Sequence, residues 1–139
     1  MSERVDRFCN NLRDQLNGVE GHLGQIKQRL AAPGKDSRAE IETKVGEAKA
    51  KLDAQRQKVE KAKADAKNRI EEKKAETASK IEEWKTNRDQ HKLEKRAERS
   101  EDYAAAWILI AADSVAEADL AILEAIEARL LAEEFAAGR

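Results

Sequence analysis

Proline occurs once in this 139-residue chain, at Pro33, cysteine once, at Cys9, and the aromatic residues number five. One cysteine rules out an internal disulfide, and with it a small fold held together by bridges. With a single proline, almost nothing in the sequence interrupts helix propagation. Few aromatics mean few bulky anchors for a globular core. Long apolar runs are missing as well. The longest, Tyr103 to Ala112, covers ten residues before Asp113, Glu117 and Asp119 interrupt it. A membrane span needs roughly twenty residues, and each acid at the bilayer centre would cost about 2.5–3.5 kcal/mol. No apolar stretch precedes the first charges, Glu3 and Arg4. The expectation is a cytoplasmic protein without a membrane span.

What is present is charge, 40% of residues, in a background rich in Ala, Glu, Lys, Arg, Leu and Ile. That mixture is typical of long helices and coiled coils. The net charge of −1 hides a segregation. Residues 1–34 sum to +1, residues 35–99 to +5 and residues 100–139 to −7. A basic middle helix lying beside an acidic last helix is the simplest account.

The densest apolar stretch is Glu101 to Phe135. Its alanines Ala104, Ala111, Ala118, Ala125 and Ala132 recur every seven residues, the period of a stripe facing a partner helix. Asp102, Asp113, Glu117, Glu124, Glu127 and Glu134 converge on a polar stripe of the same helix, leaving most of its circumference apolar. Such a helix requires more than one neighbour.

The first helix is expected over 3–31, capped by Ser2, with an apolar row Val5, Phe8, Leu12, Leu16, Val19, Leu23, Ile26 and Leu30. Gly18, Gly21 and Gly24 fit either close approach of another backbone or a kink at Asn17-Gly18. Pro33 and Gly34 end this helix. Ser37 with Glu40 forms a capping-box pattern that starts the second helix. Its thin seam reads Ile41, Val45, Ala48, Leu52, Val59, Ala62, Ala66, Ile70, Ile81 and Trp84. The seam loses phase after Trp84, and Thr86 with Asp89 offers a second cap, so the preferred turn lies at 86–89. Ser100 is the alternative turn.

The expected fold is therefore all-α. It is an elongated antiparallel helical bundle or coiled coil of three helices, about 3–31, 37–85 and 88–136, with the last two forming a long hairpin. One domain spans 1–139. Its three-helix part joins 1–66 with 104–139, and a two-stranded coil, 67–103, projects from it.

The candidate chemistry is sparse. Asp113 with Glu117, and Glu124 with Glu127, have spacings at which carboxylates can share a cation, as in carboxylate-bridged metal bundles. Those sites also need Glu-x-x-His, but Val19 precedes His22 by three residues and Arg88 precedes His91. A solvated acidic face is the stronger reading. The basic cluster Lys85, Arg88, Lys92, Lys95, Arg96 and Arg99 could meet phosphates. Asp89, Glu94 and Glu98 thread it, and no aromatic residue interleaves to stack on bases. No nucleic-acid partner, cofactor or catalytic site is expected.

Exposed apolar residues on the last helix would associate. The expectation is a non-enzymatic scaffold or protein-interaction module acting as a homodimer. Its interface residues are Trp84, Trp107, Ile108, Ala111, Val115, Ala118, Leu120, Leu123 and Leu131. An amphipathic protein that binds lipid or another hydrophobic surface is the alternative, with a carboxylate-rich metal-binding bundle ranked below it.

Overall fold

The computed structural model describes residues 3–32 and 34–138. Among these residues the chain is a helical bundle without strands. Its elements are α1 (Glu3–Ala31), α2 (Arg38–Ala75), α3 (Ala78–Thr86) and α4 (Gln90–Ala136). The expected cap Ser2 and the expected helix breaker Pro33 lie outside the described residues.

Four helices form where the sequence reading counted three, because the stretch read as 37–85 is interrupted at residues 76–77. Neither proline nor glycine causes the break. Thr77 adopts an extended backbone (φ −76°, ψ 157°), and its hydroxyl accepts a hydrogen bond from the Lys80 amide at 3.2 Å, capping α3. A short polar side chain that can bond its own backbone favours this position over the helix interior. The next break falls at 87–89, and Ser100 lies within α4. There Arg88 takes a left-handed backbone (φ 52°), rare for a side-chain-bearing residue. Asp89, rather than Thr86, caps α4 by accepting from the Lys92 amide. The Thr86 hydroxyl instead donates to the Glu82 carbonyl.

The start of α2 follows the capping-box pattern. The Ser37 hydroxyl accepts from the Glu40 amide at 3.2 Å and donates to the Glu40 carboxylate at 3.3 Å. Gly34 supplies the left-handed φ of +84° in the connection before it. α1 is one helix through its three internal glycines. A Cβ built at Gly18, Gly21 or Gly24 would meet nothing within 4 Å, so among the described residues no backbone approaches them closely.

The helices contribute to two compact units. One comprises Met1–Gln15 with Lys58–Ile110, the other Leu16–Gln57 with Ala111–Arg139. In the second unit, Ile41, Val45 and Leu123 form the core, with Ala48, Leu120, Ile126 and Leu130 packed against them. Ile26 of α1 is buried in the same unit. Arg38 on α2 pairs with Glu134 on α4 at 2.8 Å, while Ile41 and Val45 further along α2 meet Leu123. Partners on α4 thus descend as α2 ascends, so the two helices run antiparallel.

The first unit repeats the antiparallel pattern. Val59, Ala62, Ala66 and Ala106 are buried, and the Arg69, Glu72 and Glu76 side chains meet Ser100, Arg99 and Arg96 in turn. Arg4 of α1 reaches both carboxylate oxygens of Glu94 at 2.8 and 2.9 Å.

Two details of the expected seams are corrected. Ile70, read as a seam residue, is 39% exposed, whereas its neighbour Arg69 is 3% exposed. The seam Val59, Ala62, Ala66 keeps its 3–4–3 spacing and so arrives at position 69. Arginine is tolerated there because Glu76 balances its charge and Glu76 and Ser100 accept from its two terminal nitrogens. On α4, the acidic stripe divides and the alanine row lies mostly outside. Asp113 is buried and Glu127 and Glu134 are partly covered, while Asp102, Glu117 and Glu124 are exposed; Ala104 is half-buried, but Ala111, Ala118, Ala125 and Ala132 are exposed. For Glu134 the cause is visible, since Arg38 offers a counter-charge that alanine could not use.

Candidate interaction surface

The exposed large apolar side chains fall mainly on α1 and α4. On α1 these are Val5, Leu16, Leu23 and Leu30; on α4, Trp107, Leu131 and Phe135. The α1 row has a simple origin. Its apolar residues alternate by threes and fours, so two adjacent heptad rows result. One row, Leu12, Val19 and Ile26, turns progressively into the protein; the other, Leu16, Leu23 and Leu30, stays outside. A helix with both rows apolar is wider than one intramolecular contact can cover.

The residues expected to form an interface divide. Trp107 is exposed with its ring edge-on to Tyr103, centroids 6.1 Å apart, and Lys73 sits 4.7 Å from the Tyr103 ring centre. Ala111, Ala118 and Leu131 are exposed; Ile108, Val115 and Leu120 are half-buried. Leu123 is 1% exposed and belongs to the core of the second unit. Trp84 is half-buried beneath Lys92, whose ammonium lies 5.8 Å from the ring centre.

Two ionic clusters were not read from the sequence. In the first unit Arg69 makes a bidentate pair with Glu76 (2.9 and 3.1 Å), donates to the Ser100 hydroxyl at 3.0 Å, and lies 3.4 Å from Glu72. Arg96 and Arg99 approach Glu76 and Glu72 at 3.6 and 3.7 Å. The hydrogen bonds from Arg69, opposed by burial, hold the Glu76 carboxyl below its usual range, and Glu76 in turn raises the Arg69 guanidinium. In the second unit Arg29 pairs with the buried Asp119, and His22 Nε2 stands 3.7 Å from the other Asp119 oxygen. A lone arginine in an alanine seam, and an aspartate outside the acidic stripe, gave only their phase as a signal.

A cleft of about 250 Å³ opens in the second unit between Arg29, Asp36 and Lys44 on its polar side and Ile41, Ile126 and Leu130 on its apolar side. Its charges are largely committed. Lys44 Nζ lies 2.5 Å from Asp36, which that bond holds below the ordinary carboxylate range, and Arg29 is taken by Asp119.

The acids considered for metal do not converge. Among the described residues no three His, Cys, Asp or Glu side chains gather where they could share an ion. The basic cluster is likewise partly neutralised. Lys85 pairs with Glu82, Lys92 with Asp89, Arg96 with Glu76 and Arg99 with Glu72. Among the described residues no helix is long and apolar enough to cross a membrane.

No protein-family model, curated protein or solved structure matches the chain.

Proposed function

We propose that the protein is a non-enzymatic helical interaction module that acts as a homodimer and binds a protein partner through apolar helix faces. One observation carries this reading: Leu16, Leu23 and Leu30 lie in a heptad row on the outside of α1, and Trp107, Leu131 and Phe135 are exposed on α4. Exposed apolar residues scattered singly need no explanation, but a contiguous row marks a contact surface. The ionic clusters fit the same reading. Their arginines and carboxylates are bonded to one another, which suits them to fixing helix register rather than to transferring protons.

The test is the oligomeric state of the full chain. Light scattering and sedimentation equilibrium from about 5 to 500 μM, spanning the range of weak to standard interfaces, should show conversion to a dimer. A monomer across that range would end the proposal.

A further inference from the structure

The geometry points to the α1 leucine row as the seam of the homodimer, and we infer that two copies of α1 pair antiparallel about Leu23. The inference rests on the homodimer reading above and adds to it a surface, an orientation and a register.

Leu16, Leu23 and Leu30 are 49%, 42% and 54% exposed, at intervals of seven on one continuous helix. Their inner flank is Val19 and Ile26, which turn toward the protein. At 100° per residue the outer flank is Glu20 and Lys27, both exposed and neither in an ion pair among the described residues. The row is therefore apolar along its centre, with opposite charges seven residues apart beside it.

A second copy of α1 fits it in one orientation. In an antiparallel pair, each outer flank faces the partner's outer flank. Centring the pair on Leu23 sets Leu23 against the partner's Leu23 and Leu16 against the partner's Leu30. The same register brings Glu20 opposite the partner's Lys27, and Lys27 opposite the partner's Glu20. Every leucine finds a leucine and both charges find their opposites. In a parallel pair the outer flank faces the partner's inner flank instead. Glu20 then lies beside the partner's Val19, and Lys27 beside the partner's Ile26, so no opposite charges are paired.

A seam of two heptads on one helix falls short of the roughly 800 Å² per partner of a standard interface. The dimer is accordingly concentration-dependent, and charge pairing decides its orientation more than its strength.

The experiment uses the full chain with Cys9→Ser, which removes its only cysteine. Leu16→Cys, Leu23→Cys and Leu30→Cys are introduced singly, and each protein is oxidised mildly at a concentration where the parent dimerises. Leu23→Cys should give a covalent dimer, Leu16→Cys and Leu30→Cys should not, and a mixture of those two should cross-link with each other. Glu20→Lys should weaken dimerisation about tenfold, and adding Lys27→Glu should restore it. Circular dichroism reports that each variant keeps its helix content. Cross-linking of all three single variants would mean a parallel pair and overturn the inference. A dimer in which none cross-links, and which survives Leu23→Glu, would overturn the α1 seam while leaving the homodimer standing. A chain that is monomeric throughout would overturn both.

Discussion

Removing the Glu76 carboxylate should destabilise the protein more than removing the arginine it holds. Arg69 is almost fully buried, and Glu76 accepts two hydrogen bonds from it at 2.9 and 3.1 Å. In Glu76→Ala the guanidinium stays buried with only the Ser100 hydroxyl at 3.0 Å and the more distant Glu72 at 3.4 Å. Breaking one partner out of a buried pair costs 3–5 kcal/mol; with Glu72 still present, about 3 kcal/mol is expected. Arg69→Ala is milder, about 2 kcal/mol, because the carboxylate left behind still has Arg96 at 3.6 Å and partial access to water. Arg69→Met should cost least, about 1 kcal/mol. It keeps the apolar stem and removes Arg69 Nε, a buried donor without a hydrogen-bond partner among the described residues, which itself carries a penalty of about 1–3 kcal/mol. At about 4 °C per kcal/mol for a chain of this size, Glu76→Ala should lower the melting temperature by about 12 °C. Thermal unfolding followed by circular dichroism reads this directly. The Glu76 carboxyl is held below its unfolded value by Arg69. Its stabilisation is therefore fully present above about pH 4.3 and is lost as pH falls through the folded value. The gap between wild type and Glu76→Gln should accordingly narrow from pH 6 to pH 3. A drop below about 3 °C for Glu76→Ala, about the effect of an exposed pair, or a larger effect from Arg69→Ala, would refute this account of the cluster.

Two further outcomes follow from packing and capping. Leu123→Ala removes the most enclosed side chain of the second unit and should cost about 3 kcal/mol in urea unfolding. Thr77→Ala removes the α3 cap and should cost about 1 kcal/mol, seen as faster amide exchange over residues 78–81.

Helix positions in this chain were legible wherever capping chemistry was explicit. Ser37 with Glu40 and the polar turn around Asp89 could be read from residue types, because each supplies an acceptor to an otherwise unpaired amide. Thr77 escaped notice because its third neighbour is Lys80, not an acid, so only half of a capping box is present. The core of α2 was legible as far as Ala66, since its seam there is apolar and regularly spaced. Beyond that point periodicity and chemistry disagree. Spacing leads to Arg69 while hydrophobicity leads to Ile70, and only the position of Glu76 across the helix break decides between them. The partial burial of acids on α4 has the same origin. Which face of a helix turns inward depends on what its neighbours offer, and Arg29 and Arg38 lie more than eighty residues from the acids they pair with.

These pairings bear on why the α1 leucine row lies outside. Apolar contacts are non-directional, and a bundle of alanine seams could slide by a turn at little cost. Ion pairs resist sliding, because a shift separates the charges, and fixing register is their best-supported use. Glu76 with Arg96, Arg29 with Asp119 and Arg38 with Glu134 each tie distant sequence positions together. The inward positions taken by Arg69, Glu76 and Asp119 are not available to leucine or alanine, so apolar residues beyond those needed for the small core remain on the surface. Leu16, Leu23 and Leu30 are such a remainder on α1. Their heptad order, with Glu20 and Lys27 alongside, is what a second copy of the same helix would need.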